Sequence, residues 1–552
     1  MFDALFTTTT EYKKLSHALS GKGACALFGL PASGRAQVYA ALCRQLDKPL
    51  CIVTPGEAEA TRFAADLNTL GIPAAVFPAR DYVLRPIEGT AREYEYRRLA
   101  VLGELVGGRL RAVAVPAEAL TQFTTPKEDF CANTRTLHAG DTLLRDDLLA
   151  ALFGAGYTRR AQVDGPGQFS VRGDIVDIFA PDQKMPVRME FWGDEIDTLH
   201  TFDLTTQRRE DAIDKFYLSP AREVLFGKPA DAAEQLRAFL AKQRGKKKTA
   251  MADCMAADLD LLDGGAVPVN MDKYLAVRYP RPATVLDYFD DPILVAEEPA
   301  SIREADRATA YRRGEELKSL ILDGVLCAGL DNLYADPSYL WSKTGHYRTI
   351  CAENFARSMP DQPLKDIINA PAHTLPAWNG EVAGLLEDLK PLCDAGYTVT
   401  LLAGTDRAAA GLARDLRDKG ILVTTDAAAT PAAGLVQVLA GHLSAGCEFP
   451  FAKYALLTGR AFGETSSQKK KRKKAKDALN SLTEITPGDL VVHQNHGIGR
   501  YAGIQRMAVQ GVTKDYLRIE YDKKDVLYVP VTQLDLLSRY TAPGDSENVK
   551  LS

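Results

Sequence analysis

The sequence predicts a multidomain α/β and α+β chain. Its expected parts are a parallel-sheet domain with a degenerate phosphate-loop pattern, an α+β domain inserted into it, a second small α/β domain, and a small C-terminal β-barrel. Three textures carry this expectation. Residues 1 to about 125 alternate short apolar runs with helical ones, 127–212 switch to glycine-separated strands, and 484–552 hold short strands in close succession.

In the first texture, 24–28, 50–54, 74–77 and 112–115 read as strands, and 36–46, 57–67 and 92–105 as helices. That rhythm belongs to a parallel sheet flanked by helices. In the second, Gly165-Pro-Gly167, Arg172-Gly173 and Trp192-Gly193 separate strands that read as antiparallel, so 127–212 is taken as an insertion. The apolar run within 284–298 supplies a further buried strand for the first sheet, which makes that domain discontinuous, 1–126 with 213–338. Residues 339–462 carry a helix at 381–392, a strand at 398–403 and a helix at 407–419, enough for a second small α/β domain. The block from Lys469 to Lys476 repels itself and stays solvated, so 463–483 reads as a linker. Beyond it, runs at 490–492, 504–509, 516–521 and 526–529 are punctuated by turn residues, the pattern of a small twisted barrel.

Bulk properties narrow the class. At 552 residues the chain has room for about three to five domains. A hydrophobic fraction of 46% and a charged fraction of 25% are those of a soluble globular protein. The net charge of -5 and pI near 6.0 argue against wholesale coating of nucleic acid but allow a local basic patch. Nine scattered cysteines without a Cys-x-x-Cys pair fit free thiols in a reducing compartment. With no basic leader and no apolar run approaching about 18 residues, the expectation is a cytoplasmic chain without membrane contact. His493 and His496 lack an accompanying carboxylate or thiol cluster, so turn-stabilising hydrogen bonds are expected of them and no metal.

Between the first strand and helix stands Gly29-Leu-Pro-Ala-Ser-Gly-Arg-Ala36. A working phosphate loop is Gly-x-x-x-x-Gly-Lys-Ser/Thr. Gly29 and Gly34 are in place, but Arg35 replaces the lysine and Ala36 replaces the hydroxyl residue that would ligate magnesium. The distal strand ends in Glu297 and Glu298, where an aspartate is usual. Phosphoryl transfer rests on positioning and a metal, so no catalytic residue and no cofactor is expected in this chain. Residual nucleotide binding or turnover at this loop is the enzymatic alternative.

The C-terminal residues 491–503, Val-Val-His-Gln-Asn-His-Gly-Ile-Gly-Arg-Tyr-Ala-Gly, with Asp515-Tyr-Leu-x-Ile-x-Tyr521 and Leu527-Tyr-Val-Pro-Val531, resemble the RNA-polymerase-interaction module of the bacterial transcription-repair coupling factors. CarD-type transcription regulators carry a related module and remain an alternative on that stretch alone. The 29–36 loop, Tyr94-Glu-Tyr-Arg-Arg-Leu-Ala100 and Leu286-Asp-Tyr-Phe289 resemble domain one of the UvrB excision-repair proteins. Residues 156–159, 167–174 and 187–197 look like domain two of UvrB and the coupling factors. The order of these motifs matches the N-terminal portion of a coupling factor. The resemblance implies a C-terminal barrel of Tudor or SH3 type, binding to the β subunit of RNA polymerase, recruitment of UvrA, and a bacterial source. It also implies that ATP and magnesium belong to a helicase-type translocase motor that such proteins carry further on. No intact phosphate loop and no Asp-Glu-x-His/Gln box stand in these residues, so an N-terminal fragment is expected.

For UvrA, the matching positions are Arg172, Arg188, Phe191 and Trp192. Period-two alternation sends Val187, Met189 and Phe191 inward and Arg188, Glu190 and Trp192 to the other face. Arg188 with Trp192 would make a hot-spot pair, Phe191 by parity belonging to the core. The plainer alternative has Arg188 and Glu190 pairing with neighbouring strands while Trp192 covers a flank. For polymerase, Ile504, Arg506 and Met507 lie on a strand whose open edge could extend a partner's sheet, unless Met507 fills the barrel's own core. The run from Lys469 to Lys476 would contact DNA phosphates weakly or serve as a plain tether. A monomer is expected.

Overall fold

A computed structural model of the chain describes residues 6–86, 92–357, 359, 362–378, 382–429, 432–459, 486–493, 497–509, 512–521, 525–530 and 537–539. Its centre is a seven-stranded sheet. The order is Leu364–Asn369, Gly23–Phe28, Arg348–Glu353, Ile293–Glu297, Leu50–Thr54, Ala112–Pro116 and Ala74–Val76. All six pairings are parallel.

The inner strands Gly23–Phe28, Ile293–Glu297, Leu50–Thr54 and Ala112–Pro116 are largely apolar because both faces are covered, whereas Leu364–Asn369 at the edge carries exposed Lys365 and Asp366. Along Gly23–Phe28, Cys25 and Leu27 enter one core while Ala24, Ala26 and Phe28 enter the other. Ile293 and Val295 likewise part from Leu294 and Ala296. The helix Ala32–Leu46 follows the first strand and buries eleven of its residues, far more than a surface helix would. Its outer side is covered by Cys447, Phe449, Tyr454 and Leu456, which share the first core.

The sheet extends past the boundary that the sequence suggested at 338/339. Arg348–Glu353 sits between Gly23–Phe28 and Ile293–Glu297, and Leu364–Asn369 forms the edge. Parallel pairing is non-local, so a strand's own residues do not say which sheet will take it. The second α/β unit therefore begins near His373–Leu375. That strand opens a six-stranded sheet continuing through Gly446–Phe449, Tyr454–Thr458, Thr398–Leu402, Val436–Leu439 and Val423–Thr424. The helices Val382–Asp394 and Asp406–Asp418 supply its core with Leu385, Leu389, Leu412 and Leu416. Thr405 caps the second helix, its hydroxyl accepting from Ala408 N at 3.2 Å.

The insertion is a six-stranded sheet, Arg209–Ala212, Glu195–Phe202, Val187–Trp192, Ile175–Phe179, Gln168–Arg172 and Thr158–Arg159. Every pairing but the last is antiparallel. One face packs on Leu148 and Leu152 of the helix Arg145–Gly154. Its entrance and exit are zipped by Arg135–His138 against Lys215–Leu218, so the structural unit runs a few residues past 212. Directly after the exit, Glu223 is buried between two arginines: Arg98 Nε donates to it at 2.6 Å and Arg80 Nε at 3.1 Å. Arg80 also donates to Asp272 at 2.7 Å, and Glu95 accepts from Glu223 N at 3.0 Å. This charged knot fixes the insertion's root to the helix Glu93–Val106.

The C-terminal residues form a five-stranded antiparallel sheet in the order Val526–Pro530, Val512–Glu520, Gly497–Val509, Leu490–His493 and Leu537–Arg539. Val491, Tyr501, Leu517, Ile519, Leu527 and Val529 make its core. Arg518 and Glu520 point to the other face and pair at 2.7 Å, as the alternation predicts. The linker, including the run from Lys469 to Lys476, lies outside the described residues.

Candidate functional site

Three places carry the candidate residues: the 29–36 loop, the open face of the inserted sheet, and the C-terminal sheet.

At the first, Arg35 projects from the first turn of its helix into the end of the parallel sheet. Its Nη2 lies 2.9 Å from Glu297 Oε2 and 3.0 Å from Glu298 Oε1. Its Nη1 donates to Leu30 O at 3.1 Å and to Asn354 Oδ1 at 3.2 Å. Tyr39, one turn along the same helix, donates to the other Glu297 oxygen at 2.5 Å. Burial works most strongly against the charge of Arg35, and Glu297, Tyr39 and Glu298 together more than offset it. Burial pushes the Glu297 carboxyl above its usual range, with Arg35 and Tyr39 pulling it back. Glu298 holds a left-handed backbone, φ 53°, where a non-glycine residue is strained, and its side chain also accepts from Asn354 N at 3.2 Å.

One guanidinium thus stands against two carboxyl groups. The space is taken as well. A Cβ on Gly34 would lie 2.8 Å from Cys447 Sγ, and one on Gly29, at φ +89°, would meet Asn369, Ala370 and Pro371 at 3.0–3.1 Å. The chain at 370–372 lies across the loop, Ala370 N donating to Phe28 O and Ala372 N to Gly29 O. Ala36 is fully buried. The sequence places Arg35 and Ala36 at the loop, but not the inward turn of the guanidinium that neutralises it.

On the inserted sheet, Val187, Met189 and Phe191 enter the core, as alternation requires. Arg188 lies opposite Asp177 on the neighbouring strand. Two nitrogens bind the two Asp177 oxygens at 2.7 and 3.0 Å, and Nη1 reaches Gln207 O at 3.2 Å. Its guanidinium also sits 4.7 Å from the centre of the Phe202 ring. Arg188 is therefore only 9% exposed, and the expectation of a freely offered arginine beside Trp192 is corrected: a buried aspartate directly opposite holds it. Arg172 donates to the same Asp177 at 2.7 Å while its side chain stays about half exposed. Glu190 pairs with Arg209 and accepts from Thr198. Trp192, at 82% exposure, covers nothing. The face offers an exposed indole on Val187–Trp192 and, two strands away on Gln168–Arg172, a partly exposed arginine. Asp177, which orders it, is a residue sequence reasoning missed; Ser170-Val-Arg-Gly-Asp174 drew attention and the aspartate three residues further on did not.

On the C-terminal sheet, Ile504, Arg506 and Met507 all lie on Gly497–Val509, opposite Leu517, Asp515 and Lys514. From Gly503 onward this strand pairs with Val512–Glu520 alone among the described residues, since Leu490–His493 reaches only as far as Arg500. Its other edge is the candidate docking line. Ile504 is 46% exposed. His493 is buried with its Nε2 3.7 Å from Glu93 Oε1, so it meets the start of the helix Glu93–Val106; His496 lies outside the described residues. Among the described residues no group of three His, Cys, Asp or Glu side chains could hold a metal ion, and no helix is long and apolar enough to cross a membrane.

Comparison with known proteins places two families on these sheets. Residues 136–224 match the UvrB interaction domain, and residues 485–541 match the CarD-like/TRCF RID domain. The transcription-repair-coupling factor of Bacillus subtilis (strain 168) is 28% identical over 536 residues, covering 94% of this chain and 45% of that protein. That of Staphylococcus haemolyticus (strain JCSC1435) is 27% identical over 535 residues, and that of Staphylococcus aureus (strain MRSA252) 25% over 531, with the same coverage. The chain thus spans about half the length of these relatives. Along 94% of its length the chain is a relative of the transcription-repair-coupling factors, and it carries, in the order its motifs predict, a UvrB interaction domain and a CarD-like/TRCF RID domain.

Proposed function

We propose that this chain is a two-ended scaffold from the N-terminal region of a bacterial, cytoplasmic transcription-repair coupling factor. Its C-terminal module, read as a Tudor-like barrel, grips the β subunit of stalled RNA polymerase through the open edge that carries Ile504, Arg506 and Met507. Its inserted sheet recruits UvrA through Trp192 and Arg172, with Arg188 and Asp177 holding the strands that present them. Phe191 acts from beneath, as core. The observation that carries this reading is the pairing of two interaction modules on one chain, each with a strand face or edge left open among the described residues.

The 29–36 loop is read as a phosphate loop dismantled from within. Arg35 is neutralised by Glu297 and Glu298, and Cys447 fills the space beside Gly34. On this reading the chain needs no ATP or magnesium of its own. The CarD-like alternative, binding to polymerase alone, accounts for residues 485–541 and leaves the UvrB interaction domain idle.

The deciding experiment is capture of purified UvrA and purified bacterial RNA polymerase on the immobilised chain, singly and together. The scaffold reading expects all three complexes. Capture of polymerase without UvrA would favour the CarD-like reading, and capture of neither would overturn both.

A further inference from the structure

Two carboxylates at the start of the helix Glu93–Val106 turn opposite ways. Glu95 enters the charged knot, where Arg92 Nη1 donates to it at 2.8 Å. Glu93 lies two positions earlier, about 200° around the helix, and leaves by the other side. There it meets the C-terminal sheet, its Oε1 lying 3.7 Å from His493 Nε2. Both residues are buried, Glu93 at 5% exposure and His493 at 0%.

The sheet side of this contact is built around a glycine. His493 pairs with Gly497 across adjacent strands, and Gly499 pairs with Val491 beside it. The Tyr521 ring lies over Gly499: a Cβ there would strike Ile519 and come within 3.1 Å of the ring. Burial, and then the nearby Glu93 carboxylate, push the Tyr521 phenol upward. The histidine and glycines that punctuate this stretch of sequence therefore shape one patch, and Glu93 faces it.

We propose that His493, Gly499 and Tyr521 form a docking patch that seats the C-terminal module on Glu93, so that the two ends of the chain move as one body.

The chemistry suits a permanent seat. A carboxylate in the first turn is favoured by the helix dipole, and no side chain caps this helix, so its own backbone steadies the Glu93 charge. An imidazole facing it offers an N–H on a short side chain, with little rotamer freedom to lose. The seat also leaves the other end of the sheet alone. Ile504 lies five residues beyond Gly499 on the same strand, roughly 15 Å away. On the scaffold reading, which this consequence rests on, the module grips polymerase without leaving the N-terminal domain. The docking itself does not depend on what either module binds.

The test treats the whole folded chain with diethylpyrocarbonate and follows each histidine by mass spectrometry. Exposed His138 should be carbethoxylated at least about tenfold faster than His493. Glu93→Arg sets a bulky cation against the imidazole and should bring His493 up to the rate of His138. Slow amide exchange at Ala112–Pro116 and at Leu517 and Ile519 would show that both modules stay folded in the variant. If Glu93→Arg disturbs its own sheet, Glu93→Ala carries the comparison. The proposal is overturned if His493 reacts as fast as His138 in the unmodified chain, or if it stays protected in the folded variant, since the module's own core would then be what covers it. Neither polymerase nor UvrA takes part, so failure here and failure of the scaffold reading are told apart.

Discussion

Arg188 and Asp177 face one another across adjacent strands and close a two-point ion pair, Nε to Oδ1 at 2.7 Å and Nη2 to Oδ2 at 3.0 Å. Asp177 is wholly buried, so this pair orders the sheet before it can serve any partner. The two candidate residues on that face should therefore separate when mutated. Arg188→Ala leaves a buried carboxylate with only Arg172, and a loss on the order of 3 kcal/mol in folding stability is expected. Trp192→Ala should change stability by less than about 0.5 kcal/mol yet weaken UvrA binding by about 2 kcal/mol, roughly thirtyfold. Urea unfolding and binding isotherms on the two variants check this. Equal loss of stability in both would remove Trp192 as a contact residue.

The filled loop predicts that restoring the motif will not restore the site. Arg35→Lys with Ala36→Thr recreates the phosphate-loop sequence, but Cys447 still lies against Gly34 and residues 370–372 still cross Gly29. Equilibrium dialysis with labelled ATP and magnesium should show no binding by this double variant. Arg35→Ala, which leaves Glu297 and Glu298 without their cation, should lose about 3 kcal/mol or more in urea unfolding. Magnesium-dependent ATP binding by either protein would sink the dismantled-loop reading.

The charged knot at the insertion's root gives a pH dependence. Burial of Glu95 opposes its charge, but Arg80, Arg92 and Arg222 together hold its carboxyl down at about 2, against 4.5 for an ordinary glutamate. A carboxyl depressed in the folded state stabilises above its unfolded value, and that stability is lost as pH falls through the folded one. Glu95→Gln should therefore be less stable at pH 7 by roughly 3 kcal/mol. The gap to the unmodified chain should narrow as pH drops from about 4.5 toward 2. A constant gap between pH 7 and pH 3 would show that Glu95 acts through shape and not through charge.

What the sequence disclosed and what it hid follow one physical line. Strands at 24–28, 50–54 and 112–115, and helices at 57–67 and 407–419, are local patterns, and the structure places elements there within a few residues. Alternation along 187–192 separates core from surface correctly because the pleat fixes it. Partners were not legible. Arg35 meets Glu298 across 263 positions, and Arg348–Glu353 enters the first sheet between strands from two distant segments. The same blindness made Arg188 look available, since nothing in the spacing of Val187, Arg188, Met189 and Glu190 announces an aspartate on the next strand.

The edge of the C-terminal sheet left open among the described residues supports a last separation, between binding and folding. Ile504 shares a register position with Leu517, but Leu517 is buried in the sheet's core and Ile504 is 46% exposed. The carboxylate introduced by Ile504→Glu would stay in water and leave Tyr501, Leu517, Ile519 and Val529 packed, so folding stability should change by no more than about 0.5 kcal/mol. In a strand-to-strand contact with polymerase the same carboxylate would be desolvated without a partner, which costs on the order of 2 kcal/mol or more. Ile504→Glu should therefore lose polymerase in a biosensor measurement while its circular dichroism and urea midpoint stay unchanged. Leu517→Ala is the counter-variant: a cavity in so small a core should cost about 2–5 kcal/mol and lose polymerase through unfolding. If Ile504→Glu bound polymerase as tightly as the unmodified chain, the open edge beyond Gly503 would not be the contact, and the opposite, Arg518-bearing face would become the surface to test.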